Sequence, residues 1–124
     1  MEDKEYVRNP LKDIEEVFQA DERYVQAQIK IDDVHRVLAP IVLIDSVPIP
    51  VRQLFETAKN VSLYAWFVYR FHQVSEMVAY SALELALKTR YDKENPEPKK
   101  VLRGLKQLLK HAKRERWIEN SRFT

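Results

Sequence analysis

Leu11, Ile14 and Phe18 recur at three- and four-residue steps through "NPLKDIEEVF", the spacing of one helix face. Asn9 suits an N-cap, Pro10 the first helical position, and Asp13, Glu15 and Glu16 the positive end of the dipole, so a helix is predicted over about 10–22. In "YVQAQIKI", Val25, Ala27, Ile29 and Ile31 alternate with polar residues like a strand, yet Ala27, Ile31, Val34, Leu38 and Ile41 also follow helical steps. No second strand offers a pairing partner, which favours a helix over about 24–42. "DSVPIPV" reads as an extended connector, because each residue before a proline is pushed out of the α region. A long helix is then predicted over about 51–91, a break at "DKENPEP", and a last helix over about 98–117. The pattern predicts an all-α bundle built round one long central helix, with 1–124 as a single domain.

On a wheel of the central helix, Phe67, Phe71, Val78 and Leu85 fall together, with Val61, Val68, Ala79 and Ala86 beside them. This apolar arc is wider than the roughly 100° of an ordinary surface helix. Such a helix must be surrounded by other helices or by a second chain. Trp66, Met77 and Tyr80 stand at the margins of its polar face as interface candidates, since aromatic residues and Met are enriched at interfaces, and a homodimer is expected. His72 and Glu76, one turn apart, fall inside the apolar arc. They are the only candidates for acid–base or metal chemistry, set against the plainer reading of a hydrogen-bonded core pair that fixes register. No HExxH or ExxH spacing occurs, so no metal site is expected, and no cofactor.

A membrane span needs about 20 largely apolar residues, whereas the apolar run from Leu63 stops at Arg70. The chain has no cysteine, hence no disulfide, and its charged first residues do not read as a secretory signal; a cytoplasmic location is expected. A single glycine, Gly104, excludes a Gly-rich phosphate cradle.

Net charge changes the picture more. Residues 1–33 hold five Lys/Arg against ten Asp/Glu, and residues 99–124 hold nine against two, a net −5 and +7 separated by a neutral middle. In "PKKVLRGLKQLLKHAKRERW", Leu102, Leu105, Leu109 and Ala112 make one apolar edge, while Lys99, Lys100, Arg103, Lys106, Lys110, Lys113, Arg114 and Arg116 supply most of the remainder. Three readings stand: RNA or another polyanion, whose phosphates such density attracts; a solvated face; and pairing with the acidic stretch Asp13 to Glu22, within the chain or across a dimer.

From Val47 to Ile118 the sequence resembles bacterial helical proteins near the HEPN superfamily, through Ala82, Leu83, Glu84, Ala86, Leu87 and Arg90, then Leu108, Leu109, Ala112 and Trp117. The resemblance implies an all-α bundle, often dimeric, and in active relatives metal-independent RNA cleavage by an Arg-x(4–6)-His motif. That motif is absent: Arg70 and His72 are too close, and seven residues separate Arg103 from His111. The expectation is a shortened piece of a longer protein or a non-catalytic member. The first functional reading is accordingly a non-catalytic helical interaction domain. The alternative is an RNA-binding protein that uses the basic C-terminal helix.

Overall fold

Five α-helices and one 3-10 turn make up the regular structure of residues 10–97, 102 and 104–118, the residues described by this computed structural model, and no strand occurs among them. A 3-10 turn at Ile14–Glu16 is followed by α1 (Glu22–Gln26), α2 (Ile31–Leu38), α3 (Ile49–Tyr64), α4 (Phe71–Glu94) and α5 (Leu105–Arg114). The all-α expectation holds, and α4 is the hub, packed against α3 on one side and α5 on another. None of the described helices is long and apolar enough to cross a membrane.

The helix predicted over 51–91 is two helices folded into an antiparallel hairpin. Small side chains let them approach closely: Ala58, Ala65, Ser75 and Ala82 are buried along the seam, and the Ser75 hydroxyl donates to the Ala58 carbonyl at 2.8 Å. The Ser62 and Ser75 hydroxyls share a second bond across it. On one unbroken helix, Val51 and Ala58 would lie roughly a third of a turn from Ser75 and Ala82, so a straight helix could not bury both sets against one neighbour. Folding back superimposes them. The wide apolar arc of the sequence was two seams read as one.

No glycine or proline marks this break. The chain tightens instead, the amides of Trp66, Phe67, Phe71, His72 and Gln73 each bonding three residues back. Distant groups take up what the helix releases. The Asp21 amide donates to the Trp66 carbonyl at 2.8 Å, Lys12 Nζ donates to the Phe67 carbonyl at 3.2 Å, and the Tyr69 amide donates to Asp21 Oδ2 at 3.1 Å.

The same lysine explains why 10–22 is not one helix. Lys12 Nζ also donates to the Gln19 carbonyl at 2.6 Å, curling the segment round its ammonium, and only Ile14–Glu16 is helical before α1. The helix expected over 24–42 is likewise interrupted. α1 stops at Gln28, which takes φ 58°, with the Ile29 amide returning to the Tyr24 carbonyl and the Gln28 amide to that of Val25. This is a Schellman stop with glutamine in glycine's usual place. Residues 24–31 are therefore helix, turn and helix rather than strand.

Asp21 carries a test of this arrangement. Burial raises its pKa, but the amides of Arg23 and Tyr69 and the charge of Arg23 outweigh that and hold the carboxyl below the usual aspartate range. A pKa depressed in the folded state means stability that is full above the unfolded value of about 3.9 and lost as pH falls through the lower folded value. Asp21→Ala should cost about 1–3 kcal/mol at neutral pH. In urea titrations the gap between parent and variant should close only in the acid range below pH ~4.

At the far end of α4, Leu87 and Tyr91 pack with Leu108 and Ala112 of α5, flanked by Leu83, Leu105 and Leu109. α4 stops at Asn95, whose side-chain amide donates to the Tyr91 carbonyl at 3.0 Å, and Pro96 follows. Gly104, at φ 82°, turns the chain into α5 in a conformation that other residues adopt with strain. α5 begins at Leu105, so the predicted start near Pro98 falls outside the described residues.

Candidate functional site

Three places on this frame gather the side chains with chemical or binding potential: the turn between α3 and α4, the junction of α4 with α5, and the bare face of α4 between them.

At the turn, Tyr24 of α1 reaches His72, its hydroxyl hydrogen-bonded to Nε2. Tyr69 closes the cluster, its ring 5.9 Å from Tyr24 and 5.1 Å from His72 by centroids. Arg23 lies over the Tyr69 ring at 4.7 Å. Burial raises the pKa of Tyr24, and the neighbouring Tyr69 and Asp21 push it the same way. The arrangement latches α1 onto the turn.

The expected buried His72–Glu76 pair does not form: Glu76 is exposed, and the partner of His72 is Tyr24. The displacement follows from the broken helix, because the change of seam turns position 76 from the packed side to solvent. No group of three or more potential metal ligands comes together among the described residues. Tyr24 escaped the sequence reading because its partner lies 48 residues away and α1 carries no spacing signal for it.

At the other junction, His111 stands edge-on to both Tyr91, at 4.8 Å, and Trp117, at 5.2 Å, and Arg114 donates to His111 Nδ1 at 3.0 Å. Arg90 lies over the Trp117 ring at 4.4 Å. Trp117 returns to the core because Arg116 takes φ 60° after α5, a second Schellman stop without glycine. The apolar edge of α5 is spent on α4, with Leu108 and Ala112 fully buried. Lys106, Lys110 and Arg114 face outward with Arg116 beyond them, and Lys113 is half-buried at the margin. Neither Lys106 nor Lys110 has a carboxylate within ion-pair distance among the described residues. Lys99, Lys100 and Arg103 lie outside the described residues.

The interface candidates divide. Trp66 is occupied inside the chain, its indole N–H donating to the Ile29 carbonyl at 2.9 Å and its ring meeting Phe67 edge-on. Met77 and Tyr80 are 68% and 52% exposed on α4 and touch no other helix closely enough to be covered. Tyr80 begins a row that Leu83, Leu87 and Tyr91 continue at three- and four-residue steps. α5 covers the end of that row and leaves its beginning bare.

No protein-family model matches this sequence, and no curated protein or solved structure matches it significantly. No residue of the chain therefore takes a role from a relative.

Proposed function

We propose that this chain is a helical interaction module that assembles with a second copy of itself and carries no catalysis of its own. One observation supports this above the others. Among the described residues eight apolar ones are buried, four of them alanines, and Leu108 is the one large side chain with less than 2% of its surface exposed; seventeen large apolar side chains are exposed. Scattered exposed apolar residues are ordinary, but contiguous ones mark contact surfaces. Here they include Leu11, Ile14 and Phe18 ahead of α1 and, on α4, Met77 and Tyr80, which lie about a sixth of a turn apart.

A partner that covers those faces supplies the core that a single copy lacks. The clusters round His72 and His111 are closed by aromatic and hydrogen-bonding neighbours within the chain, which suits positioning rather than turnover. A sequence free of cysteine suits a reducing compartment such as the cytoplasm. Sedimentation equilibrium from low to high micromolar concentration tests the reading. A mass twice that of the chain supports it, and a monomer throughout the range overturns it.

A further inference from the structure

The geometry points to one particular assembly: an antiparallel, twofold dimer in which the acidic, apolar segment Leu11 to Glu22 of each copy lies against the basic face of α5 of the other. It rests on the self-association proposed above, and it assigns α5 to protein rather than to nucleic acid.

The two charged surfaces sit at opposite ends of α4. The acidic segment is tied to the α3–α4 turn by Lys12 on the Phe67 carbonyl and by Asp21 on Trp66 and Tyr69. α5 is tied to Leu87 and Tyr91. Phe71 and Leu87 stand about 24 Å apart along the axis at 1.5 Å per residue. That distance is about three Debye lengths at physiological ionic strength, so the two ends of one chain barely feel each other. Accordingly, Asp13, Glu15, Glu16 and Glu22 make no ion pair among the described residues, and neither do Lys106 and Lys110.

Symmetry then supplies what one chain cannot. A twofold contact sets each patch against its own copy and exchanges unlike ones. The midpoint between Phe71 and Leu87 is Ala79, flanked by exposed Met77 and Tyr80. Two α4 helices crossing antiparallel at that point bury those side chains against each other and bring the acidic end of each copy beside the basic end of its partner. The apolar members of the acidic segment, Leu11, Ile14 and Phe18, are 97%, 81% and 86% exposed. In this arrangement they lie over the partner's α4–α5 junction, while Asp13, Glu15 and Glu16 meet Lys106 and Lys110.

Charge reversal tests this arrangement separately from self-association. One variant carries Lys106→Glu and Lys110→Glu, the other Glu15→Lys and Glu16→Lys, all at exposed positions. At ~50 mM salt each variant alone should dissociate at least tenfold more readily than the parent, because its like-charged ends now meet. Mixed in equal amounts, the two should form a heterodimer of parental affinity, since both contacts are restored, and native mass spectrometry reads that pairing directly. Recovery on mixing also shows that both variants are folded.

Other outcomes overturn the arrangement. If the parent and both variants dimerise equally well, self-association stands but its geometry is a different one. If the parent is a monomer, the self-association reading fails and takes this one with it. If the parent binds a short labelled RNA with a steep salt dependence, and the Lys106/Lys110 variant loses that binding with no change in mass, the basic face serves nucleic acid.

Discussion

Met77→Glu combined with Tyr80→Glu should convert the proposed dimer to a monomer at concentrations where self-association through α4 would pair the parent chain. Both side chains are more than half exposed in a single copy, so the substitutions fall outside its buried core. Each fully buried apolar side chain of this size contributes about 1.5–3 kcal/mol. A twofold interface counts every substitution twice. Four apolar side chains lost, and four carboxylates placed face to face, exceed the 2.7 kcal/mol or so that corresponds to a hundredfold change in dissociation constant. The expected rise is therefore at least a hundredfold, read by sedimentation velocity, with far-UV circular dichroism unchanged. Thr57→Glu, at an exposed position on α3, should leave the mass of the parent intact.

Leu108→Ala is expected to produce the largest loss of stability of any single truncation in the chain. Leu108 is 1% exposed and sits at the centre of the cluster that joins α5 to α4. Deleting a buried leucine to alanine costs about 2–5 kcal/mol, the spread depending on how far the site collapses. Collapse is limited here, because the opposing Tyr91 ring is held edge-on by His111, and Trp117 is held in turn by Arg90. A loss of that size lowers the midpoint of thermal unfolding by roughly ten degrees or more. The damage should be local. Amide hydrogen exchange should show α5 losing protection while the seam from Ala58 to Ser75 keeps most of its own, because the two clusters share only α4. Equal loss in both regions would mean that hairpin and C-terminal helix unfold as one unit.

The all-helical architecture was legible because helical spacing persists through the chain and no strand partner competes with it. The break after α4 at Pro96 was readable from its prolines. The stretch 45–51, read as an extended connector, instead turns at Asp45 and Ser46 and already enters α3 at Ile49, because Pro48 and Pro50 are tolerated at a helix start. What escaped the sequence was set by contacts far apart in it. The break between α3 and α4 has no glycine or proline, and rests on Lys12 and the Asp21 amide donating to the carbonyls of Phe67 and Trp66 and on the Asp21 carboxylate accepting from the Tyr69 amide. The stops after α1 and α5 use Gln28 and Arg116 where composition would call for glycine. The expectation of a buried His72–Glu76 pair failed through the first of these, since one uninterrupted wheel carried the phase of α3 into α4.

The candidate surface was legible in part. Met77 and Tyr80 stood out as apolar positions at the edge of a polar face, and they are uncovered. Trp66, of the same residue class, is drawn inward by a single carbonyl, that of Ile29, which no periodicity reveals. The charge division between the two ends was plain in the sequence. Its reading depended on α4, at opposite ends of which the described acidic residues Asp13, Glu15 and Glu16 and the described basic residues Lys106 and Lys110 stand, with no ion pair between them.

The most direct test of self-association through α4 exploits the absence of cysteine, since any thiol introduced is the only one. Spin labels placed singly at Gln73→Cys, Lys88→Cys and Asp92→Cys, all exposed on α4, report the distance between copies by pulsed dipolar spectroscopy. Helices crossing antiparallel at Ala79 put the labels about 18, 27 and 39 Å apart along the axis, at 1.5 Å per residue. Distances that increase in this order, from Gln73 to Asp92, are the predicted result. Equal distances at all three positions, or no dipolar coupling at any of them, would contradict it.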